Sequence, residues 1–156
     1  MPATADILDV CDAIVARIIA ELDAGDTTAV SRVYLAPVKV ESISGRVVFV
    51  FPADKNTSPA SRSEYEQVYR VSVIIAERYQ AAGEPTTAWV DERVIFVQEN
   101  IESKCDFTYP LLTFKTTREL WTQTIETSVY DADQLTVNKL FWSEVTFEFH
   151  EIKAVV

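Results

Sequence analysis

Residues 33–79 read VYLAPVKVESISGRVVFVFPADKNTSPASRSEYEQVYRVSVIIAERY, and their reading decides the fold. Residues 46–51 (RVVFVF) are apolar on both faces, as an interior strand is. Pro52 marks the expected end of that strand. Residues 53–62 (ADKNTSPASR) read as a polar loop built on Asn56, Ser58 and Pro59. A long strand is expected over residues 64–77. Its alternation puts Tyr69, Val71, Val73 and Ile75 on the core face and Arg70, Ser72, Ile74 and Ala76 on the other. The segment predicts a rigid strand pair holding out a loop, an arrangement suited to binding or assembly rather than chemistry.

Upstream, residues 6–23 carry Ile7, Cys11, Ile14, Ile18 and Leu22 at three- and four-residue steps, broadened by Val10, Val15 and Ile19. That spacing predicts a helix with Thr4 as N-cap, Asp6 at the positive end of the dipole and Gly25 at the exit. Its polar face (Asp9, Asp12, Arg17, Glu21, Asp23) is acidic, which fits core packing and not a membrane-surface helix. Residues 30–35 read as a short extended stretch broken at Pro37, residues 38–42 as extended or turn, and Ser44-Gly45 as a reversal.

Downstream, a second helix is expected over residues 87–104, with Val90, Val94, Val97 and Ile101 as its stripe and Trp89 and Phe96 beside it. Residues 107–118 are a weakly patterned connector. Residues 121–130 alternate, with Trp121, Gln123, Ile125, Thr127 and Val129 on one face. Asp131-Ala132-Asp133 reads as a turn. Residues 140–152 form the expected last strand, with Phe141, Val145, Phe147 and Phe149 inward and Trp142, Glu144, Thr146, Glu148 and His150 outward; Ser143 is the polar exception on the inner face. The order predicts one domain spanning residues 1–156. It is α+β: a two-layer domain with a mixed or antiparallel β-sheet and two main α-helices packed on one face.

With 156 residues the chain is long enough to bury a full core without a staple. The net charge of −10 argues against tight binding to a nucleic-acid backbone. Cys11 and Cys105 lack metal spacing and read as reduced core thiols. The acidic start of the chain does not read as a secretory signal, and the apolar runs fall short of a membrane span, so a soluble protein made in a cytoplasm is expected.

No catalytic pattern stands out. The single histidine, His150, is expected to form a solvated surface pair with Glu148 on its own strand face. There is no G-x-S-x-G, phosphate loop or H-E-x-x-H. Asp131 and Asp133 are the nearest carboxylate pair for a metal, and they lack further ligands. No carboxylate spacing supports a glycosidase pair.

Residues 32–62 resemble the tail terminator (tail completion) proteins of long-tailed bacteriophages. The resemblance runs through Tyr34-Leu35-Ala36-Pro37, the apolar strand ending at Pro52, and the polar stretch ending in Ser61-Arg62. It continues in residues 130–135 (YDADQL) and in residues 141–145 (FWSEV). The resemblance implies a structural virion protein of the tail or neck, assembled in the host cytoplasm. It implies a six-fold ring that caps the tail tube, stops elongation and docks to the head connector, with DNA passing through the lumen and no catalysis or cofactor. The implied partners are the chain itself, the tail tube protein and the connector or head-closure protein. Two other readings stand beside it: another head–tail joining subunit, and a small α+β ligand-binding domain or enzyme with a cavity between helices and sheet. The expected working surface is the stretch 53–62 with the strand start after it: Asp54, Lys55, Asn56, Ser61, Arg62 and Glu64, with Arg62 held to a neighbour's carboxylate.

Overall fold

The computed structural model describes residues 6–34, 43–107, 111–115 and 118–154. Thr4 and Pro37, with residues 38–42, lie outside them. Helix α1 (Asp6–Glu21) forms on the expected stripe, burying Val10, Cys11, Ile14 and Ile18. Ile19, expected to widen the stripe, is half exposed. The strands are β1 (Ala29–Arg32), β2 (Val47–Pro59), β3 (Glu64–Arg78), β4 (Leu112–Phe114), β5 (Arg118–Ser128) and β6 (Leu140–Ala154). They make one six-stranded sheet in the order β1-β2-β3-β6-β5-β4. The β1–β2 pair is parallel, and all other pairs are antiparallel. The fold is the expected α+β class.

The core lies between one sheet face and the helices. Tyr69, Val71, Val73 and Ile75 of β3 and Phe141, Val145, Phe147 and Phe149 of β6 are fully buried there, as their alternation predicts. Helix α2 (Thr87–Phe96) starts where Thr86 Oγ1 accepts the Trp89 N–H at 3.2 Å. It continues as a π-helical turn, residues Val97–Glu102. The wider turn lets Phe96 and Val97 and then Ile101 and Cys105 all reach the core. Val90 and Val94, expected at the centre of the stripe, are only partly buried. Glu77 fastens the start of β2 to α2, meeting Arg46 at 2.9 Å and Arg93 at 2.6 Å.

Two expectations are corrected here, and the second face of the sheet carries cover of its own. The turn at Asp131 opens a short helix, α3 (Ala132–Asn138). Asp131 is its N-cap, accepting the Asp133 and Gln134 N–H groups, and Lys139 closes it at φ 53°. A bulge between Thr122 and Thr124 shifts β5 by one residue. Thr122 therefore lies beside Phe149 and Ile125 beside Phe147 on the core face, while Trp121 crosses to the other side next to His150. The second face of the sheet is not free along its whole length, because Ala76 and Leu140 are buried there with Ile43, and Val47, Phe49 and Trp142 pack around them.

Candidate interaction surface

The stretch read as a loop is a strand. Pro52 does not end β2: the ladder passes a bulge between Pro52 and Asp54 and resumes as Asp54↔Arg70, Lys55↔Tyr69, Asn56↔Val68, Thr57↔Gln67, Ser58↔Glu66 and Pro59↔Tyr65. An edge strand tolerates this proline because its missing N–H faces away from the partner. Only residues 60–63 turn, closed by the N–H groups of Ala60 and Ser61 on the Glu64 carbonyl at 3.1 and 3.0 Å. On the other side β3 pairs with β6 to its end, Glu64 opposite Ala154. The result is a three-stranded arm running past the helices. The signal lay in the unequal lengths expected for the two strands, since a long β3 needs a partner of matching length to satisfy its backbone groups.

The arm places the six expected site residues on three different sides. Asp54 and Asn56 share the face away from the helices, and Asp54 meets Arg70 at 3.5 Å. Lys55 lies on the opposite face, its Nζ 6.0 Å from the Tyr69 ring centroid. Ser61 and Arg62 form the tip, where Ser61 Oγ accepts the Ser63 N–H at 3.3 Å. Glu64 begins the return strand. Arg62 is exposed, and among the described residues no ion pair engages it.

Two polar clusters that sequence reasoning did not find clamp the root of the arm, one on each face. On the helix side Glu151 is 3% exposed. Arg118 grips it at 2.7 and 2.5 Å and reaches Asp6 of α1 at 2.9 and 3.0 Å. The Tyr69 hydroxyl donates to Glu151 at 2.9 Å and bonds Gln67. Burial and then the Glu151 carboxylate push the Tyr69 hydroxyl well above the ordinary tyrosine range. The same carboxylate, partly offset by desolvation, holds Arg118 firmly protonated. Asp6, expected only as a dipole partner, thus ties α1 to β5 and β6. Nothing in local spacing could pair residues so far apart in the chain.

On the open face His150 is 7% exposed, not solvated, and its partner is Glu66 of β3 and not Glu148. Trp121 tilts against the imidazole at 5.8 Å. Glu148 instead accepts from Arg70 at 3.1 Å. Thr124, Glu126 and Thr146 complete a shallow depression around this pair. One arginine faces four carboxylates here and just beyond: Asp54, Glu126, Glu144 and Glu148. The patch is acidic.

The thiols of Cys11 and Cys105 are buried, and desolvation pushes each up to about 12, which leaves them as unreactive thiols. Among the described residues no three His, Cys, Asp or Glu side chains are placed to hold a metal ion, and no helix is long and apolar enough to cross a membrane.

No protein-family model matches the chain, and no curated protein matches it. Among solved structures it is similar to the sheath/tube terminator of PVC, an extracellular contractile injection system, in its extended state. The TM-score is 0.47 at 16% identity, over 99% of this chain and 58% of that one, so the chain spans little more than half the length of this neighbour.

Proposed function

We propose that this chain is the subunit of a ring that caps a phage-type tail tube, stops its elongation and presents a docking surface to the head connector. The observation that carries the reading is the division of labour across the sheet. One face is sealed by helices, the other bears an acidic patch around Arg70, and a polar arm projects beyond both. A subunit of this form can turn its acidic face to a lumen and its arm to a neighbour. DNA passing such a wall is repelled rather than held, and six copies each carrying −10 strengthen that field. The sequence resemblance across residues 32–62 supports the same role. In this reading the chain does no chemistry and needs no cofactor, and its partners are itself, the tail tube protein and the connector or head-closure protein.

The test is to add the purified protein to tail tubes growing from their own tube protein and to measure tube lengths by electron microscopy. Tubes of bounded length with cap density at one end are the expected result. A length distribution unchanged by the protein would sink the reading.

A further inference from the structure

Resting on the ring reading, we propose that the open face carries a guanidinium-binding site beside His150, and that its occupant is Arg62 at the arm tip of a second copy. The site is a depression of about 460 Å³ at the root of the arm, lined by Asp54, Asn56, Arg70, Gln123, Glu148 and His150. The bulges of β2 and β5 stand on either side of it. Lys55 borders it as well, but its ammonium lies on the helix side, 6.0 Å from the Tyr69 ring centroid.

The unfilled group is His150 Nε2. The residue is 7% exposed, and Nε2 is buried without a hydrogen-bond partner. Nδ1 faces the Glu66 carboxylate, which only accepts, so Nδ1 carries a proton. In the neutral ring Nε2 is then a lone pair that calls for a donor. The rest of the wall calls for a cation. Asp54 at 3.5 Å and Glu148 at 3.1 Å share the single Arg70, and Glu126 adds a third carboxylate just beyond. A guanidinium meets both demands. It is cationic and donates only, and its planar fork can engage a carboxylate on one edge and Nε2 on another.

Charge and availability select the occupant. Every other described arginine is held by a carboxylate or a carbonyl of its own chain. Arg62 is exposed, and among the described residues none holds it. It cannot fill its own site. Val68 and Arg70 lie four to six residues beyond the strand start at Glu64, roughly 13–20 Å down the arm, out of reach of one side chain. A second copy supplies it without that limit. Tip to root joins two different patches, so the contact is heterologous and its repetition about an axis closes a ring. It covers the root of the arm and leaves Glu144, lower on the same face, bare toward a lumen.

Two one-sided variants test the contact. Arg62→Ala removes the occupant and keeps the site. Asp54→Lys spoils the site and keeps the occupant, at a side chain 57% exposed. Asn56→Trp blocks the same site by bulk and stands in if Asp54→Lys lowers the melting temperature. Each variant alone is expected to stay monomeric in light scattering where the parent forms its ring. Mixed in equal amounts, Arg62→Ala and the site variant are expected to give dimers and nothing larger, because one intact tip meets one intact site. His150 is the chain's only histidine, so its imidazole resonances report on the site directly. They are expected to shift on mixing when the Arg62→Ala copy carries the isotope label, and to stay when the site variant carries it. A ring from either variant alone, or a mixture that stays monomeric, overturns the contact and leaves the ring reading standing. Dimers in which the labelled His150 signal does not move overturn the site as the place where the tip docks. A parent chain that stays monomeric alone and on tail tubes defeats both the contact and the ring.

Discussion

The two halves of the long strands β3 and β6 are built by different means. Near Ile75 and Phe141 the strands are covered on both faces, by helices on one and by the Ile43, Ala76 and Leu140 cluster on the other. Near Tyr65 and Ile152 the same strands run on as an arm with little apolar cover, and Ile152 is half exposed. The backbone ladder is unbroken through both, Glu64↔Ala154 to Arg78↔Leu140. At 15 residues and about 3.3 Å per residue, each strand reaches roughly 50 Å. Burial stabilises the lower half. The upper half is held at its root by polar groups, Arg118–Glu151–Tyr69 on one face and Glu66–His150 with Arg70–Glu148 on the other. Each ladder hydrogen bond contributes only about 1 kcal/mol net, and the polar groups at the root add side-chain ties across the strands. The lower half stabilises the fold, and the arm contributes exposed polar surface.

The contrast breaks first in the lower half. Ile101→Asp puts an unpaired charge at a fully buried position and is expected to cost more than about 4 kcal/mol. That is most of the net stability of a typical domain. Circular dichroism across a urea titration measures it, and a midpoint near that of the parent would mean that the π-helical turn does not seat Ile101 in the core.

The clamp comes next. Arg118→Met leaves the Glu151 carboxylate buried without its cation and is expected to cost about 3 kcal/mol. Adding Glu151→Gln recovers part of the loss, because the stranded charge is gone. The same denaturation series tests the coupling, and additive losses would show that the two side chains act independently. A smaller effect, about 1–2 kcal/mol, is expected for Tyr69→Phe, which removes the donor to Glu151 and leaves the ring packed against Phe114. A loss matching that of Arg118→Met would place the strength of the clamp in the hydroxyl.

Much of the lower half was legible in the sequence. The stripe of α1 and the alternation of Tyr69–Ile75 and Phe141–Phe149 encode burial directly, because period and apolarity are both local. Gln123 shows the first limit. One extra residue in β5 reverses the face of everything before it, and no side chain there announces a bulge. Residues 53–59 show the second. Asp54, Asn56, Ser58 and Pro59 favour turns locally, yet pairing with an already long β3 overrides that preference. The clamp was illegible because Asp6, Tyr69, Arg118 and Glu151 come from four separate elements. For the candidate site the sequence singled out residues 53–62 and Arg62, and the structure puts Arg62 at the exposed tip of the arm. It misplaced Asp54 and Lys55 together on one surface, since strand alternation separates them.

The most direct measurement of the claim that the arm serves assembly pairs two readouts on Arg62→Glu. The tip side chain is exposed and makes no ion pair among the described residues, so stability is expected to stay within about 0.5 kcal/mol of the parent in thermal melting. The same variant, supplied in place of the parent during tail assembly, is expected to leave tubes of unbounded length in electron micrographs. Tails of normal length and full titre with Arg62→Glu, or a large drop in melting temperature that accounts for any assembly defect, would contradict the account.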